Sequence, residues 1–554
     1  MSHALAQLLY PHVTRTPADW YAAYPPRLLP EGALVTRFAP SPTGFVHIGS
    51  ILTSLISRRL AHQSGGVFFL RIEDTDKKRE QDGSVEAIVR NLHNFGLTPD
   101  EGIVSVDPER EVGAYAPYTQ SERIDQYESF AKWLVEHGRA YPCFATEDEL
   151  ERTRKIQEAQ KLKTGYYGMF AKWRDASIDQ VEAALAEGRR PVIRIRAPYP
   201  TERRIRFTDA VKGLIEMPEN DMDSVLLKSN RLPTYHFAHV VDDTLMRVNL
   251  IIRGDEWLPS APLHVQVFEY LGLEHPQFAH IAPIAKMDGT SKRKLSKRKD
   301  PEADVMYFYA QGYPKAAVIE YLLNLANSDF YDWRTANPAL PHDDFPLRIE
   351  KLGTSSALFD MVKLNDMSKN HIAALTADEV YEAALAWAAG YHPRLADVLR
   401  EQAAYARAVF AVERTGDAPR KDIVNWADIE RACGFFFDTF YEDNIADGFT
   451  WGKATGDRAR RILEQAARFT PDTPKDAWLD AMRAFGESIG FARDMKTFKK
   501  QPDAFTGHFG DLMMVLRVAL TGKTNTPDLY EMMCAMGTAR VRARIERALA
   551  ALPA

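Results

Sequence analysis

Arg37-Phe38-Ala39-Pro40-Ser41-Pro42-Thr43-Gly44-Phe45-Val46-His47-Ile48-Gly49-Ser50 is the stretch that decides the fold. A strand-like run over 33–38 meets two prolines and a glycine, and a helix is predicted to open at about His47. The turn places an imidazole and a small residue at a helix N-terminus, where unpaired backbone N–H groups favour a phosphate. Downstream, Ile48, Ile51, Leu52, Leu55 and Ile56 repeat at helical spacing, and Gly65-Gly66 stop the helix. Residues 67–72, Val-Phe-Phe-Leu-Arg-Ile, then read as a buried parallel strand. Strand, helix and strand within so short a span form one βαβ unit, and the predicted host is an α/β doubly wound parallel sheet.

The whole chain has 554 residues, too many for one ordinary core, so several domains are expected. Hydrophobic residues make up 45% and charged residues 26%, an ordinary globular balance. Cys143, Cys433 and Cys534 are far apart and form no CxxC pair, which argues against a disulfide framework or a cysteine-rich zinc site and suits a reducing cytoplasm. The first thirty residues have no uninterrupted apolar core, and no span reads as membrane-crossing. The net charge of −6 gives no global sign of a nucleic-acid partner and excludes none, because local basic surfaces decide binding.

The α/β rhythm breaks at Tyr141. A charged helical stretch over 147–163, a Gly165-Tyr166-Tyr167-Gly168 turn and a β-rich run over 191–196 read as a domain inserted into the nucleotide fold. The sheet is predicted to resume at 224–227 and 248–253. A basic loop covers 286–299, and helical patterns dominate beyond Ala303, with a proline-rich connection at 337–346. The expected divisions are an N-terminal extension 1–32, a first half of the nucleotide fold 33–140, an insert 141–222 and a second half 223–280. The basic loop with a helical domain 281–350 and a helical region 351–554 complete the chain.

Four clusters carry candidate chemistry. The His-Ile-Gly triplet alone also fits an ordinary βα loop; the proline-rich run before it sharpens the nucleotide reading. His47 is then a donor to a phosphate oxygen whose charge grows in the transition state, and Gly49 leaves room for a base or ribose. Lys294-Leu295-Ser296-Lys297-Arg298 reads either as a solvated basic loop or as a mobile cationic lid over a triphosphate. Leu70-Arg71-Ile72-Glu73-Asp74-Thr75-Asp76 follows a strand, where its acids either cap the next helix or hold a substrate ammonium. Pro233-Thr234-Tyr235-His236 and Val240-Val241-Asp242-Asp243 precede Arg253-Gly254-Asp255-Glu256-Trp257. Tyr235 and His239 there fit core groups or ligands, and Arg253 fits bidentate carboxylate binding or a structural ion pair.

Together these motifs resemble the class I aminoacyl-tRNA synthetase family, in its glutamyl branch, over most of 35–550. Ser355-Ser356-Ala357-Leu358-Phe359-Asp360 with Lys363-Leu364 looks like the start of that family's helical anticodon-binding half, and Leu516 to Gly522 resembles a stretch of its last domain. The resemblance implies a Rossmann-type catalytic domain, an inserted α+β domain for the tRNA acceptor end and an all-α anticodon-binding half. It assigns glutamate binding to Arg37, Ala39, Ser41, Glu73, Tyr235, His239 and Arg253, and ATP binding and catalysis to His47, Gly49, Lys294, Ser296 and Lys297. Among these Lys297 is the strongest expectation. The implied activity is a ligase that forms glutamyl-adenylate from ATP and L-glutamate, then passes the glutamyl group to the 3′-terminal ribose of tRNA(Glu), with tRNA bound before activation.

Mg²⁺ is expected with ATP, and no structural zinc, because only Cys143 stands where some members place zinc cysteines. The partners are tRNA(Glu), ATP and L-glutamate with no membrane; a cytoplasmic monomer is expected. Three departures stand out: Ser50 replaces a second signature histidine, the zinc cysteines are missing, and His239 occupies a position where some members carry asparagine. Two other readings stay open, an enzyme that also glutamylates tRNA(Gln) and a non-catalytic synthetase-like RNA-binding protein. The arginine-rich run 540–544 fits RNA contact or a solvated helix face equally, and residues 1–32 lie outside the resemblance.

Overall fold

The computed structural model describes residues 2–44, 46–296, 298–416, 419–452, 454–466 and 468–552. Contacts divide the chain into two compact units, Met1–Val305 with Leu322–Phe359, and Met306–Tyr321 with Asp360–Ala554. The stretch 281–350, expected as one domain, is therefore shared between them.

In the first unit, strand Val35–Phe38 pairs in parallel with Val67–Leu70, and Leu250–Gly254 pairs in parallel with Gln277–Ile281. Asn249 N–H donates to the Val35 carbonyl at 3.3 Å and brings the two pairs alongside. The chain runs outward to opposite sides from the two inner strands, so their carboxyl ends flank a topological switch point, the place where open α/β sheets bind ligands. Helix Ile48–Gln63 connects the first pair and buries Ile48, Ile51, Leu52, Leu55 and Ile56, the face read from their spacing. After it the chain returns so tightly that a Cβ on Gly66 would fall 1.9 Å from the Leu34 carbonyl oxygen.

The insert departs from expectation twice, both times toward its C-terminal border. Strand Val225–Leu227, expected in the resumed parallel sheet, pairs antiparallel with Val192–Ile195, which pairs in turn with Ala140–Cys143. A short apolar run reads the same in either sheet type, because both bury it. Conversely, the hairpin Arg204–Asp209 and Gly213–Pro218 belongs to the expected insert by position, yet Asp209 pairs with Phe278 and extends the catalytic sheet.

Residues 1–32 are built into this unit. Helices Ser2–Leu9 and Pro17–Ala23 lie on helix Ile124–Glu136: Trp20 Nε1 donates to Ser129 Oγ at 2.9 Å, and Lys132 Nζ donates to the Val13 carbonyl at 2.7 Å. Arg27 grips Glu101 through both terminal nitrogens, at 2.7 and 2.8 Å.

Among its described residues the second unit has helices, and the two-residue parallel pairing of Phe491–Ala492 with Gly507–His508 as its only strands. Asp360 caps helix Met361–Ala374, its Oδ1 accepting from Val362 N–H at 2.8 Å, at the border where the sequence predicts the helical half to begin. One large apolar core runs from Ile372 to Leu552. The arginine-rich run proves heterogeneous: Arg544 is buried and donates to the carbonyls of Phe435, Leu520 and Phe436 and to Asp438, all within 2.6–2.8 Å. It is a core brace rather than a solvated face.

Candidate active site

A cavity of about 740 Å³ opens at the switch point. Its wall includes Arg37, Ala39, Ser41, His47, Gly49, Glu73, Tyr235, Arg253 and Lys294, gathered from segments more than 250 positions apart. His239 and Ser296 do not reach the wall, and Lys297 lies outside the described residues.

His47 is the N-cap of helix Ile48–Gln63, and its Nδ1 accepts from Gly49 N–H at 2.9 Å. That bond assigns the ring proton to Nε2, which donates to the Leu295 carbonyl at 3.3 Å. The His-Ile-Gly turn thus touches Leu295 of the basic stretch through a neutral imidazole whose donor points away from its own helix. Gly49 has a reason beyond room for a nucleotide: a Cβ there would lie 3.1 Å from the His47 ring nitrogen.

The basic stretch forms an antiparallel hairpin, Ala285–Asp288 with Ser291–Lys294, rather than an irregular loop. Three of its cations are tethered. Lys286 pairs with Glu302, Arg293 with Asp288 and Asp300, and Lys294 with Glu256 at 2.7 Å. The Ser296 backbone N–H donates to Asp300 Oδ2 at 2.9 Å. Burial opposes ionisation of Glu256, but its bond to Lys294 wins and holds the carboxyl below its usual range.

Behind the opposite wall lies a buried charge network. Arg71 donates to Asp243 at 2.7 Å and to Glu73 at 3.1 Å; Arg123 donates to Asp242 at 2.7 Å; Arg37 reaches Asp243 through Nε at 3.2 Å. Tyr127 and Gln120 also donate to Asp242, at 2.8 and 2.9 Å. Helix Tyr235–Leu245 supplies both aspartates, and Tyr235, His239 and Asp243, four residues apart, share one of its faces. Burial opposes the Asp243 charge, yet Arg37 and Arg71 hold its carboxyl well below the usual range. Glu73 goes the other way: burial raises it to about 7 despite Arg71 and Arg37. Neither Glu73 nor Asp74 caps the next helix, Ser84–Asn94, whose N-cap is Gly83; Asp74 instead accepts from Ser121 N–H at 2.8 Å.

His239, expected against the ligand, is fully buried and supports the wall from behind. Its Nδ1 donates to Asp243 at 3.3 Å, and burial lowers it to about 3, so it is neutral.

Arg253 ends strand Leu250–Gly254 and is buried. It pairs with no carboxylate among the described residues, and two of its three nitrogens are already committed. Nε donates to His280 Nε2 at 3.0 Å; Nη1 donates to Tyr235 Oη at 3.3 Å and His264 Nδ1 at 3.1 Å. Nη2 is buried without a partner, so the free group is one nitrogen rather than a two-pronged edge. Sequence reasoning missed His264, His280 and Asp209, which depend on register: His280 sits opposite Arg253 in the neighbouring strand. It also missed Gln120 and Lys228 on the wall, and it noted His236, Glu256 and Trp257, the last 4.2 Å from the Tyr235 ring, without giving them a role.

Among the described residues, no three His, Cys, Asp or Glu side chains cluster as a metal site, and no helix is long and apolar enough to cross a membrane. Residues 33–331 match the family model of the class I tRNA synthetase (E and Q) catalytic domain, and 394–549 match an anticodon-binding domain. A glutamate–tRNA ligase of Clostridium perfringens is 46% identical over 548 residues, covering 99% of both chains. One from Sorangium cellulosum is 44% identical, covering 97% of this chain and 98% of its own. The crystal structure of a glutamate tRNA ligase from Elizabethkingia meningosepticum in complex with its amino acid superposes with a TM-score of 0.74. It is 27% identical and covers 94% of this chain and 100% of that one. The Clostridium match leaves out at most a few residues, so the segment 1–32, expected outside the resemblance, is largely inside it.

Proposed function

The chain belongs to the class I aminoacyl-tRNA synthetases as a glutamate–tRNA ligase, and we propose that the switch-point cavity is where it activates L-glutamate with ATP for transfer to tRNA(Glu). The observation that carries this reading is one cavity lined both by two arginines, Arg37 and Arg253, and by the capping His47 with Lys294.

In the first step a glutamate α-carboxylate oxygen attacks the α-phosphorus of ATP. A P–O bond forms, the bond to the β-phosphate bridge breaks, and pyrophosphate leaves. In the second, a hydroxyl of the 3′-terminal ribose attacks the activated carbonyl and AMP leaves. No protein nucleophile is needed, so positioning and charge stabilisation dominate. Glu73 faces the substrate ammonium; Arg37, Arg253 and Tyr235 take carboxylate oxygens; Ala39 and Ser41 shape the pocket. His47 offers Nε2–H to phosphate oxygens in place of the Leu295 carbonyl, Gly49 keeps the helix N-terminus open beneath ATP, and Lys294 moves from Glu256 to the phosphates. Ser296 and Lys297 complete the phosphate side. Mg²⁺ enters with ATP as part of the substrate. The insert meets the acceptor end and the helical unit reads the anticodon, with the chain acting as a cytoplasmic monomer.

The test is tRNA-dependent ATP–pyrophosphate exchange with glutamate. The wild-type chain exchanges, and Lys297→Ala lowers the rate by roughly a hundredfold while tRNA binding persists. Absence of exchange with every cognate tRNA overturns the enzyme reading; full activity in the variant removes Lys297 from it.

A further inference from the structure

Four arginines are buried around the amino-acid side of the cavity, and three are charge-compensated. Arg37, Arg71 and Arg123 each pair with Asp242 or Asp243. Arg253, equally buried, is held by uncharged acceptors alone.

The ring protons can be placed one by one. His280 Nδ1–H donates to Asp209 at 2.6 Å, which leaves Nε2 as the acceptor for Arg253 Nε. His264 Nδ1 accepts from Arg253 Nη1, so its proton is on Nε2, which donates to His236 Nδ1 at 2.9 Å. Each ring therefore carries one proton. Burial, with the positive surroundings of Arg253, keeps His264 well below the ordinary histidine range; burial keeps His280 below it against the pull of Asp209. A buried guanidinium is fixed in orientation with no carboxylate in direct contact and Nη2 unpartnered, Asp209 standing behind the His280 ring. An aspartate in either place would fix it as well and neutralise it.

We propose that His264 and His280 are specificity-determining positioning residues: as uncharged acceptors they hold Arg253 without spending its charge, so that only an anionic side chain, glutamate rather than glutamine, completes the site. The inference rests on Arg253 as a glutamate contact. It places discrimination one layer behind the ligand, in the choice of histidine over a carboxylate.

The test compares isosteric variants in the full chain with tRNA(Glu), reading kcat/KM in exchange for glutamate and for glutamine. His264→Asn keeps an acceptor where Nδ1 stood and stays within about threefold of wild type. His264→Asp puts a charge at the same place; glutamate kcat/KM falls roughly a hundredfold and the preference over glutamine shrinks at least about tenfold. Equal effects of Asn and Asp on the preference overturn the proposal. Should His264→Asp fail to fold, His280→Gln against His280→Leu decides: Gln keeps the acceptor and the glutamate KM, Leu raises that KM about tenfold, and equality overturns the proposal. Arg253→Lys is the control: an unchanged glutamate KM there refutes the underlying site and the proposal with it, whereas a raised KM beside equal effects of His264→Asn and His264→Asp refutes the role of the histidines alone.

Discussion

The chain contains the same local device twice. His47-Ile48-Gly49 and His508-Phe509-Gly510 both cap a helix with a histidine whose Nδ1 accepts the N–H two residues on, at 2.9 Å in each case. Both glycines lie under the ring: an added Cβ would meet the His47 ring nitrogen at 3.1 Å and the His508 ring carbon at 2.6 Å. The difference is what the second ring nitrogen faces. His508 Nε2 meets its own Asp511 at 3.5 Å, within one helical turn. His47 Nε2 meets the Leu295 carbonyl, 248 positions away, beside the cavity. The triplet is thus a capping motif, and its chemistry comes from the segment the fold sets opposite it.

Substituting both histidines breaks the comparison most directly. His47→Ala lowers the exchange rate by roughly 10²–10³-fold, the range for one lost donor to developing charge. His508→Ala leaves it unchanged. Both lose about 1 kcal/mol of stability through the cap, read by denaturant melts. Asparagine sharpens the contrast, since it caps well: His47→Asn recovers stability and not rate. Recovery of rate would reduce His47 to a cap.

A smaller effect separates the charged wall from the caps. Glu73 has a raised carboxyl, at about 7, so it gains its charge late as pH rises. Glutamate KM therefore falls by up to about tenfold between pH 6 and 8, and Glu73→Gln flattens that slope. The sign for stability is opposite. The folded chain holds this proton above the unfolded carboxyl range, so its contribution to stability declines as pH rises from about 4.5 to about 7 and is level beyond. A glutamate KM independent of pH in the wild type defeats this assignment.

The smallest effects belong to the glycines. Gly510→Ala displaces the His508 ring and costs about 1 kcal/mol in a melt, with activity intact. Gly49→Ala costs no more in stability and raises the ATP KM several-fold, because the same displacement turns the His47 donor away. Equal kinetics in both alanine variants would remove the distinction between the two caps.

How far the sequence can be read follows the same division. The strand, turn and helix around His47 were legible because each signal is local: an apolar run, two prolines and a repeat of buried positions. Arg37, Glu73 and Arg253 all line the cavity; Arg253 draws notice as a charged group near a strand end, and Arg37 through the family resemblance alone. The support behind them was not legible. Asp209 reads as an insert residue until the hairpin joins the sheet, and His264 reads as one of fifteen histidines. His239 is buried and off the cavity wall, because helical spacing gives the face and not the depth. Arg544 reads as a solvated charge because nothing local announces the three carbonyls gathered around it.

The N-terminal arm bears on where this chain can be cut. The catalytic-domain match begins at residue 33. Trimming there would strip Arg27 from Glu101, remove the Pro25 carbonyl that accepts from Tyr115, and take away the Tyr21 and Tyr24 carbonyls that hold Arg247. A minimal catalytic fragment designed from motifs alone would thus expose a lone acid and a lone guanidinium on the face that carries the sheet. Its working border is drawn by those anchors, and a purification handle at this end has to leave the first two helices free to lie down.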